Sequence, residues 1–440
     1  MNVFIYTLGC KVNEVDSEIY AQELRELGAV VVSDLSAADA VVVNSCSVTN
    51  RAQAQSMQFV RHAQRQRPDA HIFLAGCGSS LLELTRSRAP AGVTVIGMGD
   101  RAKLAAIIAA SSAPVIDAAP WIQRTMQRAG PRNRVDVRIQ EGCDNLCTYC
   151  VIPYVRGAHL QSKPVAVAVD EVVHLAKTGV KEIVLTGTEI GKYGDAPGSL
   201  ALLLDAMLGA LEAEGLHTRV RISSLNPDAI TEELVDQFAR HPALCPQLHL
   251  PLQSGSDAIL RSMRRPYAAA DLLSSVQRLR LVNPLFTFTT DVIVGFPGET
   301  EEDFQATLDV IQAAGFAKVH AFRFSARPFT PAAREPNQIP ASIARQRLHR
   351  VLDFSRQTGL AVARQFIGQE VTIVSEQVSE GIVKGYSEHY LWTEGSTGAN
   401  VTLERDSLIA VRVDGLHFDG ERVVLEGRVL EHSSAGLGRS

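Results

Sequence analysis

Apolar and polar positions along the 440-residue chain alternate in segments that read as strands and helices in turn. Over residues 1–120, "VFIYT" (3–7) precedes the amphipathic stretch "EVDSEIYAQELREL" (14–27), and "DAVVVNS" (39–45) precedes a polar helical run at 50–67. "AHIFLAGC" (70–77) and "VTVIGM" (93–98) follow. Short apolar runs bounded by turn residues read as buried strands, and the 3.6-residue period between them as helices. Such alternation predicts a parallel sheet with helices on its faces. After a Pro/Arg-containing linker, "WIQRTMQRAGPRNR" (121–134), the alternation resumes. Strands are expected near 135–140, 181–186, 218–224, 247–252, 286–294 and 317–325. Helices are expected at about 165–178, 199–214, 229–240, 256–264, 269–282 and 301–314. Six βα units in series predict a barrel or partial barrel with its chemistry at the strands' carboxyl ends. A long helical pattern, 341–366, closes this region.

From about 368 the character changes. "EVTIVSEQ", "GIVKGYS", "HYLWTEG", "NVTLE", "LIAVRVDGLHF" and "RVVLEGRVL" are short strands at turn-like spacing, which predicts a small all-β barrel of OB-like size. The expected class is α/β, divided into domains at 1–120, 132–366 and 367–432.

Composition narrows the class. With 46% hydrophobic and 21% charged residues the chain can bury ordinary cores and is not broadly disordered. Seven cysteines, an odd number, argue against a secreted disulfide framework and for reduced thiols in the cytoplasm. The start "MNVFIYTLGC" has no basic segment ahead of an apolar one, so no signal peptide is expected. The most apolar window, 104–122, is interrupted by serines, two prolines and Asp117 and reads as a helix end and loop, not a membrane span. A net charge of −5 gives no global signature of nucleic-acid binding. Its distribution is uneven. Residues 323–365 hold eight arginines against Glu335 and Asp353, whereas 366–440 hold Lys384 and five arginines against twelve acidic residues. The basic segment is either a solvated helix face or a phosphate-contacting surface.

Six of the cysteines fall into two groups. Cys143, Cys147 and Cys150 lie in "QEGCDNLCTYCVIPYVRG" (140–157), a CxxxCxxC loop after the first barrel strand. Structural zinc takes four ligands, and a [4Fe–4S] cluster normally takes four cysteines; three leave a position open. Cys10, Cys46 and Cys77 each stand just past a strand, in "LGCKVN", "VNSCSVTN" and "AGCGSS". In open α/β sheets ligands gather at the strands' carboxyl ends, so these three can converge. Cys245 belongs to neither group and reads as a small buried hydrophobe.

CxxxCxxC at a barrel mouth resembles the radical S-adenosylmethionine (SAM) superfamily. The resemblance implies a three-cysteine [4Fe–4S] cluster whose open iron binds SAM and cleaves it to a 5′-deoxyadenosyl radical, chemistry that belongs to the cofactor and not to any side chain. With Cys10, Cys46 and Cys77 as a second triad, the chain resembles the methylthiotransferases of that superfamily over nearly its whole length. This implies a flavodoxin-like amino-terminal domain with a second [4Fe–4S] cluster, a radical SAM partial (βα)6 barrel, and a carboxy-terminal β-barrel of the TRAM type. Within the family, one branch shows Gln-Met-Asn after the first cysteine and another Pro-Lys-Asn. Here Lys11-Val12-Asn13, "NSCSVTNRA" and "TGTEIGKYG" (186–194) are similar to the branch that modifies N6-threonylcarbamoyladenosine in tRNA. Gly78 departs from that pattern, where a bulkier aromatic residue is common.

The resemblance implies SAM contacts by Tyr149 (adenine), Glu189 (amino group), Arg221 and Gln253 (carboxylate or ribose), and Gly295 of "GFPG", where the backbone would approach closely. Gln253 also reads as an internal barrel hydrogen bond, and for Arg221 the internal salt bridge is the favoured reading. "RSMRRPY" (261–267) and the 323–365 arginines are expected to clamp tRNA phosphates, although the acidic terminal barrel is awkward for an RNA-contacting module. The expected partners are the tRNA anticodon loop, an external electron donor and a sulfur donor, with no membrane. No catalytic side chain is assigned beyond the clusters. The rival readings are a methylthiotransferase acting on another tRNA adenosine or on a ribosomal-protein side chain, and a zinc-stabilised RNA-binding module.

Overall fold

A computed structural model of the chain describes residues 1–109, 120–127, 134–379, 381–397 and 405–430. In the amino-terminal part, β1 (Asn2–Thr7), β2 (Val30–Val32), β3 (Ala40–Ser45), β4 (His71–Gly76) and β5 (Val93–Val95) form one parallel sheet. Their order is β2-β1-β3-β4-β5, the flavodoxin-like arrangement. Helices α1 (Lys11–Glu26), α2 (Asn50–Gln66), α3 (Cys77–Thr85) and α4 (Leu104–Ile108) link and cover the strands. Every residue of β3 is buried, as a central strand covered on both faces requires. Two details differ from the sequence expectation. The three-residue β2 is too short to show a pattern. And Cys77 does not sit in a turn; it is the first residue of α3. Gly76 makes this abrupt junction possible with φ +84, and a Cβ there would lie 2.3 Å from Asn44 Oδ1 and 2.7 Å from the Ser45 carbonyl oxygen. Only glycine turns strand into helix in that space.

The middle region contains β6 (Arg134–Glu141), β7 (Gln161–Ser162), β8 (Glu182–Gly187), β9 (Arg219–Ile222), β10 (Gln247–His249), β11 (Thr287–Val294) and β12 (Lys318–Arg323). β6, β8 and β9 pair in parallel, as do β10, β11 and β12. Parallel bridges Val220–Leu244 and Ser224–His249 carry the sheet from β9 to β10. The result is a six-stranded partial barrel, with β7 added antiparallel to β6. Its helices are α5 (Ile152–Arg156), α6 (Val165–Lys177), α7 (Ser199–Ala213), α8 (Glu232–Arg240), α9 (Asp257–Ser262), α10 (Ala269–Val282), α11 (Glu301–Ala314) and the closing α12 (Ala341–Arg364).

One apolar core runs through both regions, from Val15, Ile19 and Leu24 of α1 to Val137 and Ile139 of β6 and Leu185 of β8. The expected linker is part of it. Trp121, Ile122 and Met126 are buried, and Trp121 donates its indole N–H to Asp16 Oδ1 at 2.8 Å. Of that segment, 128–133 lies outside the described residues, as does 110–119 of the apolar window. No described helix is long and apolar enough to cross a membrane.

The last region holds β13 (Glu370–Val374), β14 (Gln377–Ser379), β15 (Ile382–Tyr386), β16 (Trp392–Ser396), β17 (Leu408–Phe418) and β18 (Val423–Val429), in the order β13-β17-β18-β16-β15-β14. An antiparallel bridge between Ile373 and Ser387 brings β13 to the end of β15 and closes a small barrel. The expected strand "NVTLE" lies outside the described residues. Val362, Ala363 and Phe366, at the end of α12, enter the core of this module.

Two strand arginines fix the module to the barrel. Arg219 donates to the carbonyls of Thr372 and Tyr386 at 2.5 and 2.9 Å, and Arg221 to those of Ser387 and Glu388 at 3.0 and 2.9 Å. Both also grip the buried Glu182, at 2.6 and 2.8 Å. Burial alone would raise the Glu182 carboxyl, but the Arg219 and Arg221 guanidiniums outweigh it and hold it well below the usual carboxylate range. A carboxylate depressed in the folded state contributes stability above its unfolded pKa and loses it as pH falls through the folded value. We expect acid unfolding to set in below about pH 4.5. Circular dichroism against pH should show a shallower acid limb for Glu182→Gln; an unchanged limb would rule out this group as the source.

Candidate functional site

Cys10, Cys46 and Cys77 follow directly on β1, β3 and β4, three neighbours in the sheet. Convergence is therefore built into the strand order. Gly9 touches Cys46 closely, since a Cβ at Gly9 would lie 3.0 Å from Cys46 Sγ. Asn13, one turn into α1, ties the loops together by donating to the carbonyls of Leu8 (2.7 Å) and Ser45 (3.1 Å). Its Oδ1 accepts from the Cys77 thiol at 3.9 Å. Gly78 leaves room for Ser45, whose Oγ would be 2.5 Å from a Cβ at that position.

The CxxxCxxC cysteines share a cavity with Cys10. Cys143, Cys147 and Cys150 occupy the loop after β6, which Thr148 anchors by bonding through its N–H and hydroxyl to the carbonyls of Met263 and Ser262 at 3.1 and 2.9 Å. The cavity encloses about 620 Å³ and is walled by Cys10 and Lys11 from the first region and by Cys143, Cys147 and Cys150 from the second. Barrel residues from Thr186 to His320 and Tyr390 of the terminal module complete it. Its size falls within the roughly 300–1,000 Å³ of small-molecule clefts.

Two arginines that sequence reasoning did not single out contact the thiols. Arg156, at the end of α5, donates from Nε to Cys77 Sγ at 3.1 Å. Its remaining nitrogens reach Glu141 (3.0 Å), Asn13 (2.5 Å) and Asp16 (2.7 Å). It belongs to a buried network in which Arg138 also pairs with Asp16, and Arg101 with Glu141 at 2.5 Å. Arg265 donates to Cys147 Sγ at 3.3 Å, to Tyr267 Oη at 2.9 Å and to Asn226 Oδ1. This corrects the expectation for "RSMRRPY": Arg261 and Arg264 are exposed, but Arg265 turns inward to the cysteine loop. Only its place in a basic run marked it, and that signal pointed to solvent.

The expected SAM contacts divide. Glu189, just past β8, lines the cavity and accepts from Asn145 and Asn226 at 3.0 and 2.7 Å. Burial pushes its carboxyl up to about 7 against the opposing pull of Arg265. Tyr149 lines the same cavity and an adjoining one of about 200 Å³. Gln253 is there too, in the left-handed conformation (φ 62) that bends the chain across the barrel mouth. Arg221 reaches the wall, but all five of its N–H donors are engaged by Glu182, Gln247, Ser387 and Glu388. It has none left for a carboxylate, so the salt-bridge reading holds. Gly295 does not line the cavity. Its N–H bonds to Glu299 Oε2 at 2.6 Å, and a Cβ would lie 2.7 Å from Ala344 Cβ; the close approach it permits is that of α12.

The 323–365 arginines are likewise half committed to the protein. Arg327 bonds Asn50 and Gln53, Arg347 and Arg350 pair with Glu299 and Glu301, and Arg356 with Asp353. Arg323, Arg334, Arg345 and Arg364 are exposed. Cys245 is buried, as expected of a structural cysteine.

Two family models match the chain: the radical SAM superfamily over residues 137–311 and the uncharacterized protein family UPF0004 over residues 2–96. The threonylcarbamoyladenosine tRNA methylthiotransferase MtaB of Thermotoga maritima is 36% identical over 401 residues, covering 88% of this chain and 90% of the relative. This chain belongs to the radical SAM tRNA methylthiotransferase family. The MtaB of Bacillus subtilis is 34% identical, covering 88% of this chain and 89% of the relative. A tRNA-2-methylthio-N(6)-dimethylallyladenosine synthase of Cereibacter sphaeroides is also 34% identical, with 88% and 90% covered. Among solved structures, the radical SAM methyltransferase TsrM of Kitasatospora setae, with cobalamin and a [4Fe-4S] cluster bound, shares the fold. Its TM-score is 0.57 at 16% identity, covering 87% of this chain and 80% of that one.

A radical SAM methylthiotransferase works with SAM and [4Fe–4S] clusters, and the donor set here suits them. Burial pushes the Cys77 and Cys143 thiols up to about 11 and Cys150 to about 12. Such thiols keep their protons until a cation displaces them, and the Arg156 and Arg265 guanidiniums stand ready to bond the resulting thiolates. Among the described residues no three His, Cys, Asp or Glu side chains converge closely enough to hold a single metal ion.

Proposed function

We infer that this methylthiotransferase converts N6-threonylcarbamoyladenosine at position 37, in the anticodon loop of tRNA, to its 2-methylthio derivative. The observation that carries the reading is one cavity whose wall includes Cys10 of the first triad and all three cysteines of the second. Cys143, Cys147 and Cys150 would hold the cluster that binds SAM, and Cys10, Cys46 and Cys77 the second cluster. When bound, these groups supply the hydrogen-abstracting radical and the sulfur and methyl to be transferred. The chain's own contribution is placement. Glu189, held by Asn145 and Asn226, presents a carboxyl to the SAM amino group, the Tyr149 ring borders the space for adenine, and Gln253 lines the wall where the SAM carboxylate or ribose would lie. Arg156 and Arg265 neutralise thiolate charge beside the clusters. The relatives named for threonylcarbamoyladenosine and the "CKVN" segment support this substrate over the dimethylallyl one and over a protein side chain. An external electron donor and a sulfur donor complete the reaction, which we place in the cytoplasm, where tRNA is available under reducing conditions.

The test is mass spectrometry of nucleosides from tRNA of a deletion strain. We expect 2-methylthio-N6-threonylcarbamoyladenosine to disappear and its unthiolated precursor to rise. An unchanged level would refute the substrate.

A further inference from the structure

The cavity wall carries several cations, and most of them are already engaged. Arg221 has all five donors in use. Arg156 is bonded to Cys77, Glu141, Asn13 and Asp16. Arg265 holds Cys147, Tyr267 and Asn226. His249 pairs with Thr289 at 3.0 Å and Asp291 at 3.4 Å. Lys11 differs from these. It lines the cavity from the first turn of α1, and among the described residues its ammonium has neither a hydrogen bond nor an ion pair. The charged groups around it are Asp136, Arg134, Arg221 and Glu182, and Glu182 is itself held by Arg219 and Arg221. Lys11 therefore reaches the cavity with no carboxylate bonded to it, and its ammonium is free to make a charge-assisted hydrogen bond to a ligand there.

We propose that Lys11 is the specificity-determining residue of this enzyme, binding the carboxylate of the threonylcarbamoyl arm. The proposal rests on the tRNA reading above. The chemistry of the two arms supports it: threonylcarbamoyl ends in a carboxylate, whereas dimethylallyl is hydrocarbon. An uncommitted ammonium rewards the first with a charge-assisted hydrogen bond and penalises the second, which would bury it unpaired. SAM also carries a carboxylate, so the test must tell the two apart.

The test uses reconstituted holoenzyme and three anticodon stem-loop RNAs that carry threonylcarbamoyladenosine, dimethylallyladenosine or plain adenosine at the target position. Wild type is expected to bind the first most tightly. Lys11→Met should lose at least ~30-fold in affinity for that RNA while keeping its affinity for plain adenosine, its affinity for SAM, and its iron and sulfide. Lys11→Arg should retain much of the preference. Should Lys11→Met lose iron, Lys11→Gln, which keeps a polar side chain beside Cys10, carries the same comparison. A Lys11→Met enzyme that still prefers the threonylcarbamoyl RNA overturns the proposal, as does one that loses SAM affinity instead. A wild type indifferent to the modification overturns the substrate reading, and the proposal with it.

Discussion

Cys10→Ala is expected to leave an enzyme that still cleaves SAM but no longer transfers a methylthio group. Cys147→Ala should lose both. The Cys10 thiol is exposed and makes no packing contribution, so its removal tests ligation without disturbing the sheet. Cys147 is buried under Arg265 and belongs to the loop whose Asn145 bonds Glu189. Anaerobic iron and sulfide analysis should fall from about eight irons per chain to about four in either variant, because each triad would hold one [4Fe–4S] cluster. Release of 5′-deoxyadenosine, followed by chromatography, should persist at near wild-type rate in Cys10→Ala and drop to background in Cys147→Ala. Loss of SAM cleavage in both would contradict the division of labour between the triads. About one zinc with no sulfide would sink the radical chemistry altogether.

The second large effect is expected at Arg156. Its guanidinium is almost fully buried, and its partners Asp16 and Glu141 are buried with it. Deleting one member of such a network leaves buried carboxylates short of charge. We expect Arg156→Ala to cost about 3 kcal/mol, the lower end for a broken buried pair, because Asp16 keeps Arg138 and Glu141 keeps Arg101. Urea unfolding measures the loss, and Arg156→Lys should recover part of it. The same variant removes the N–H···S bond to Cys77, so the second cluster should show a shifted reduction potential in the folded fraction. Unaltered stability together with an unaltered potential would mean that the side chain is not engaged as described.

How far the sequence could be read depends on whether the deciding contacts are local. The CxxxCxxC loop has its three cysteines within eight residues, so spacing alone marked it as a candidate site. The first triad was legible because each cysteine stands at the end of an apolar run, and adjacent strand ends meet in space. Arg221 and Gly295 were harder, since what occupies them comes from distant segments: carbonyls more than 160 residues on for Arg221, and Ala344 of α12 for Gly295. Arg156 left no local trace, and Arg265 only a misleading one, because a basic residue that will point inward looks like one that will not. The linker misled in the opposite direction. Its proline and arginines read as a linker, yet Trp121 anchors it between Asp16 and the guanidiniums of Arg101, Arg124 and Arg138.

The grip of Arg219 and Arg221 on four carbonyls of the terminal module has a bearing on how the reaction is contained. Those carbonyls lie against strands β8 and β9, and Tyr390 of the same module forms part of the cavity wall. The small barrel thus acts as a stopper seated in the base of a vessel. A vessel plugged from below fills and empties through its remaining opening, and whatever reactive species forms inside meets the plug on that side before it meets bulk water. Shortening the chain before residue 368 would unseat the stopper.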